Sequence, residues 1–109
     1  MTHSAAKFRV PRAVSFSVTE DMLEVALDDG RTIAVPLAWF PRLLHGTAEE
    51  RSRARLIGQG EGLHWPALDE DVSVEALLAG RPSTESAASL KRWLANRNSA
   101  REGDAQEKT

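Results

Sequence analysis

A chain of 109 residues, 41% hydrophobic and 28% charged, has the make-up expected of one soluble domain with a single modest core. Its net charge of −2 gives no global electrostatic argument for nucleic acid or for an anionic membrane. The lack of cysteine excludes disulfides, thiol catalysis and cysteine-bound zinc.

The opening residues, MTHSAAKFRVPRAV, hold no apolar run of signal-peptide type. No stretch approaches the roughly 20 apolar residues that span a bilayer, so a cytoplasmic protein without membrane contact is expected. Residues 1–7 and 98–109 are small and polar and read as flexible tails around a single domain at 8–97. Lys7, Arg9 and Arg12 make the N-terminal arm basic. Solubility is the plain reading of those charges and phosphate contact the sharper one.

From Ala13 to Leu37 the apolar period is two: Val14, Phe16 and Val18, then Leu23, Val25 and Leu27, then Ile33, Val35 and Leu37. Three antiparallel strands with one buried face follow from this. Parity sets the register. A turn at Thr19 to Met22 pairs Val18 with Leu23 and Phe16 with Val25, keeping apolar residues on one face. A three-residue loop, Asp28 to Gly30, pairs Val25 with Ile33 and Leu23 with Val35, with Gly30 at the left-handed position of the turn. Pro36 cannot donate to a ladder, so the third strand should lie at an edge or end there.

Pro41 can open a short helical turn that closes at Gly46. Thr47-Ala48-Glu49-Glu50 has the form of a capping box and predicts a helix to about Ile57, with Ala54, Leu56 and Ile57 facing inward. Ser73 is a good N-cap for a helix ending at Gly80, with Val72 and Leu77 placed as a hydrophobic staple and Val74, Leu77 and Leu78 facing the core. Ala87, Leu90, Trp93 and Leu94 recur with helical spacing and predict a last helix over Thr84 to Arg97. The fold class is therefore α+β: a small antiparallel sheet of three to four strands, an N-terminal meander, packed on two to three C-terminal helices.

Signals for chemistry are sparse. His3, His45 and His64 have no metal-ligand spacing, and no metal or cofactor is expected. Gly58-Gln59-Gly60-Glu61-Gly62 resembles a phosphate loop but lacks the following Lys-Ser/Thr, and Glu61 would repel phosphate. No catalytic residue stands out. An enzyme built on His64 and Glu61 is the remotest reading, since it needs a concave pocket holding both.

Two stretches resemble a known bacterial family. One is Leu27 to Leu44, with Trp39-Phe40-Pro41-Arg42-Leu43-Leu44. The other is Ile57 to Ser83, with His64-Trp65-Pro66 followed by Leu68-Asp69-Glu70-Asp71. They are similar to the family catalogued as domain of unknown function 2442, and the similarity covers most of Ala13 to Arg97. The resemblance implies a small α+β domain that occurs alone or fused upstream of a helix-turn-helix domain. It also implies a neighbouring gene for a second small protein, in the manner of a toxin–antitoxin pair. It brings no established catalytic residues.

The leading expectation is thus a non-enzymatic protein-interaction module with a small protein partner, antitoxin-like. Its candidate contact residues are Trp39, Phe40, His64, Trp65, Asp69, Glu70 and Asp71, the acids facing a basic partner. This reading expects Trp39 or Trp65 to be partly exposed. The alternative is DNA binding for autoregulation, through Arg51, Arg53 and Arg55 on the helix from Glu49 or through the last helix. Homo-oligomerisation is left open.

Overall fold

The computed structural model describes residues 9–107. Two three-stranded antiparallel sheets carry the core. β1 (Ala13–Val18), β2 (Met22–Leu27) and β3 (Thr32–Pro36) form the first in that spatial order; β4 (Arg55–Ile57), β5 (Gly62–Trp65) and β6 (Glu70–Ser73) form the second. A 3-10 turn (Leu37–Trp39) and the short helices α1 (Pro41–Leu44) and α2 (Ala48–Ser52) connect the sheets, and α3 (Val74–Leu78) and α4 (Ala87–Glu107) complete the chain. The class is α+β, as the sequence predicts.

From Phe16 onward the first sheet has the register that parity requires; before it, a bulge between Ala13 and Ser15 breaks the alternation, and Val14, expected on the buried face, is 56% exposed. Phe16 faces Val25 and Val18 faces Leu23; Leu23 faces Val35 and Val25 faces Ile33. Gly30, at φ +92°, donates its N–H to Leu27 O and closes the hairpin as a left-handed residue. A slip of one residue would turn the buried Leu23, Val25 and Leu27 out to water. β3 is an edge strand that ends on Pro36, where the missing N–H costs no ladder bond.

The second sheet departs from expectation. The capping box forms: Thr47 Oγ1 accepts from the Glu50 N–H at 3.1 Å, and Glu50 Oε1 accepts from the Thr47 N–H at 2.8 Å. Yet α2 stops at Ser52, and Arg55 to Ile57 become β4 instead of a further helical turn. Trp65 supplies the reason. Its indole Nε1 donates to Arg51 O at 2.8 Å, taking the carbonyl that a continuing helix would offer to Arg55 N–H. Arg55, Leu56 and Ile57 pair instead with His64, Leu63 and Gly62. Leu56 and Ile57, predicted to face inward, are consequently 44% and 40% exposed; Ala54 packs against the core.

β5 and β6 form a hairpin that buries Leu63, Trp65 and Val72 and turns His64 and Asp71 outward as a facing pair. Its loop, Pro66 to Asp69, closes through Asp69 at φ +52°, a left-handed conformation that aspartate tolerates better than most residues. The two sheets meet at the edge-on contact of Phe16 with Trp65, ring centroids 5.8 Å apart. They meet again at Gly60 (φ +95°), where Ala13 O lies 2.5 Å from the point a Cβ would occupy. Any side chain at Gly60 would push β1 away.

The helices follow their caps. Ser73 Oγ accepts from the Ala76 N–H at 3.0 Å, and the staple residues Val72 and Leu77 are both buried. Leu78, predicted inward, is instead among the exposed apolar residues. Ser86 Oγ accepts from the Ser89 N–H at 3.1 Å at the start of α4. That helix begins at Ala87, three residues after Thr84, and continues to Glu107, past the predicted end at Arg97 and through residues read as tail. The predicted tail at 1–7 lies outside the described residues, as do Phe8 and residues 108–109.

Candidate partner-binding groove

A groove of about 540 Å³ runs between the arm Arg9 to Arg12 and the outer face of the second sheet. Ile57 from β4, Gly62 from β5 and Asp71 and Ser73 from β6 form its floor, with Glu61 and Glu75 beside them. Alternation within the strands places these residues: Leu63, Trp65 and Val72 are buried, so Gly62 and Asp71 fall on the opposite, outer face.

The arm is pinned to the β2–β3 turn. Asp28 accepts from the Arg12 backbone N–H at 3.1 Å and from the Arg9 guanidinium at 2.8 Å. Those bonds, Arg9's foremost, hold the Asp28 carboxyl below its ordinary pKa. Arg12 Nη1 donates to Gln59 Oε1 at 2.8 Å. Both basic side chains of the groove wall are therefore already engaged. Facing them, Glu61 and Glu75 take part in none of the ion pairs among the described residues. Asp71 shares its carboxylate with His64, whose Nδ1 lies 2.5 Å from Oδ1.

The acidic run Asp69-Glu70-Asp71 looks like one patch in sequence but divides between two faces. Asp71 belongs to the groove. Asp69 and Glu70 lie on the other side, around Arg42 and the start of α4. Arg42 forks onto Glu85 with bonds of 2.9 and 2.6 Å and donates to Asp69 O at 3.0 Å. The Trp93 ring has the Arg42 guanidinium 5.2 Å and the Arg97 guanidinium 4.7 Å from its centroid. Arg97 in turn donates to both oxygens of Glu50, at 3.1 and 2.9 Å.

These pairs shift the groups that make them. Arg97 holds Glu50 down at about 2, and Arg42 lowers Glu85 while being raised by it. Glu70 moves the other way because burial disfavours its charge: Oε1 accepts from the Asp71 N–H at 3.1 Å, while the buried Oε2 has no hydrogen-bond partner among the described residues. The cluster is a lock that fastens α4 to α1 and α2.

A family model described as a protein of unknown function, DUF2442, matches residues 13–83. The chain belongs to DUF2442. Two solved structures are similar to it. A protein of unknown function from Rhodospirillum rubrum is 32% identical, with a TM-score of 0.62 over 71% of this chain and 95% of that one. The uncharacterized protein CV0863 from Chromobacterium violaceum, a solution NMR structure, shares the fold at 24% identity, with a TM-score of 0.58 over 79% of this chain and 75% of that one. No curated protein matches the chain. None of these descriptions names a catalytic activity.

Within this DUF2442 domain the sequence candidates separate. Trp65 is 0% exposed and Phe40 is buried, so neither can anchor a partner on the surface; both are core residues. Trp39 is half-buried at the end of the 3-10 turn and keeps an accessible edge. The arginines proposed for nucleic acid do not form one helical face. Arg51 donates to Leu43 O and Leu44 O at 2.8 and 2.6 Å, capping α1, and Arg53 pairs with Glu49, while Arg55 has left the helix for β4. Glu61 lines the groove and His64 does not. Among the described residues no helix is long and apolar enough to cross a membrane, and no group of three or more His, Asp or Glu is placed to hold a metal.

Sequence reasoning missed Ile57, Gly62, Ser73 and Glu75 as groove residues. The available signal was the period of two in Gly62-Leu63-His64-Trp65 and again in Glu70-Asp71-Val72-Ser73, on either side of a proline-led turn.

Proposed function

We propose that this DUF2442 protein is a non-enzymatic interaction module that binds a small basic partner protein, in the manner of an antitoxin. The carrying observation is the groove over the second sheet. It combines the exposed apolar side chains Val10 and Ile57 with three carboxylates, while the arginines of its wall are engaged elsewhere. Such a surface attracts cationic side chains and gives their apolar neighbours somewhere to bury. A cytoplasmic setting, where a partner encoded next to this gene is made, fits the reading.

The test is co-expression with the small protein encoded beside it, followed by size-exclusion chromatography. The expected result is a stable complex that weakens as salt rises and is lost on combining Glu61→Gln, Asp71→Asn and Glu75→Gln. Two proteins that elute independently at low salt would sink the proposal.

A further inference from the structure

Arg42 stands between two carboxylates and holds one of them. Its guanidinium forks onto Glu85, whose Oε2 also accepts from Ser89 Oγ at 2.8 Å, so that carboxylate is tied to α4. On the body side Arg42 donates to Asp69 O, the carbonyl joined to Glu70 N, and the largely exposed Asp69 carboxylate lies 3.5 Å from the same guanidinium. Glu70 is left over. Its Oε2 is sealed from water and has no hydrogen-bond partner among the described residues. A buried oxygen without a partner is costly, and its persistence calls for a reason. The charged groups that act on Glu70 are Arg42 from α1, Glu85 ahead of α4 and its own neighbour Asp71. Arg42 and Glu70 favour each other's charge, whereas Glu85 and Asp71 oppose that of Glu70.

We infer that Glu70 is the reserve counter-ion of Arg42, unpaired while α4 is docked and taking the guanidinium over from Glu85 when the helix lifts away. This stands apart from the partner-binding reading. Helix and body compete for one arginine. With α4 in place Glu85 has the fork, and Glu70, pressed first by burial and then by the Glu85 charge, favours its proton. When α4 leaves, Glu85 goes with it, the Glu70 O–H gives its proton to water, and the carboxylate so formed closes on Arg42. Neither charge is then stranded on the body. Docking takes up a proton, so α4 is held more tightly as pH falls through the raised value of Glu70 toward its ordinary 4.5. Below that, protonation of Glu50 and Glu85 reverses the trend. α4 is a strap that mild acid tightens and neutral pH loosens.

Two NMR measurements on the full chain test it. The first follows the Glu70 carboxyl carbon through an acid titration in Glu85→Gln and in Glu85→Gln combined with Arg42→Gln, a pair change that strands neither charge. The expected result is that Glu85→Gln moves the Glu70 titration down from its position in the parent, and that adding Arg42→Gln moves it back up. A titration that Glu85→Gln leaves in place would overturn the exchange. So would a low position that survives the loss of Arg42, since water and the missing Glu85 charge would then account for it. The second measurement is amide protection of Leu90 to Arg97 relative to β2 and β5, whose protection reports that the body is folded. In the parent it should be about threefold higher at about pH 5 than at about pH 7, the scale of a partly exposed ion pair. In Glu70→Gln it should be the same at both. A parent whose α4 protection ignores pH in this range, or a Glu70→Gln variant that keeps the rise, would overturn the coupling.

Discussion

Residues 13–78 are packed around side chains that water does not reach, with Trp65, Leu23, Leu37, Leu43 and Leu63 fully buried. α4 lies on that body through guanidinium–carboxylate pairs and one half-buried indole, Trp93. The DUF2442 match stops at residue 83, before α4 begins at Ala87. Apolar burial is non-directional and tolerates little local loss, whereas a lock of charge pairs can open as a unit while the core beneath it stays formed. The difference separates a body that carries the fold from a helix that is fastened onto it.

The comparison is tested most severely at Trp65, which joins the regions of the body. Its ring meets Phe16 across the two sheets and its Nε1–H holds the last turn of α2. Trp65→Ala should cost about 3–5 kcal/mol, enough to abolish most of a domain's stability. Urea unfolding followed by far-UV circular dichroism would show it. A loss under about 1 kcal/mol would mean that the sheets do not share one core.

At α4 the corresponding change is Arg42→Ala, which strands Glu85, a carboxylate whose side chain is only 9% exposed. The expected cost is about 2 kcal/mol, below the range for a fully buried pair because water reaches the lock from one side. It should appear locally. Amide exchange in Leu90 to Arg97 should accelerate, while the strand amides of β2 and β5 keep their protection. Uniform acceleration across both regions would show that helix and body unfold together and would collapse the distinction.

What the sequence could disclose divides along related lines. The first sheet was readable to the residue pairs from Phe16 onward, because alternation is strict there and each turn has one parity that keeps a single face apolar; the bulge that turns Val14 outward at the start of β1 was not. The caps at Thr47 and Ser73 were readable because they depend on atoms only three residues apart. β4 was not. Whether Arg51 O serves Arg55 N–H or the indole of Trp65 is decided by a contact 14 residues distant, and no local propensity encodes that choice. The groove was hidden for the same reason, being assembled from the arm, β4, β5 and β6. The acidic run misled because strand geometry sends Asp71 to one face and Glu70 to the other. The lock at α4 was half-visible: Trp93 and Arg97 share a helical face, but their partners Arg42 and Glu50 lie far back in the chain.

Acid should loosen the lock before it touches the body. Glu50, lowered to about 2 by Arg97, is ionised and paired in the folded protein throughout the range above its ordinary value of 4.5. Its contribution is complete above that value and is lost as pH falls toward about 2. Solvent screening at this partly exposed site keeps the contribution on the order of 1 kcal/mol. Arg97→Ala should flatten the fall in α4 protection between those limits. An unchanged acid profile in that variant would exclude the pair as its source.

Glu70 should respond with the opposite sign and the smallest effect. Burial raises its pKa above 4.5, so the folded state prefers it protonated, and its ionisation works against folding as pH rises through the raised value. Glu70→Gln keeps an oxygen for the Asp71 N–H and replaces the unpartnered Oε2 with an N–H group that Glu85 attracts instead of repelling. The variant should be more stable than the parent at pH 7 by less than about 1 kcal/mol, and indistinguishable from it well below pH 4, where the parent carboxyl is already neutral. Thermal unfolding at the two pH values reads both. A gain of equal size at both would assign the effect to packing. A loss at neutral pH would mean that Arg42 draws on Glu70 as a third carboxylate of the lock, making the junction between body and helix more ionic than the body itself.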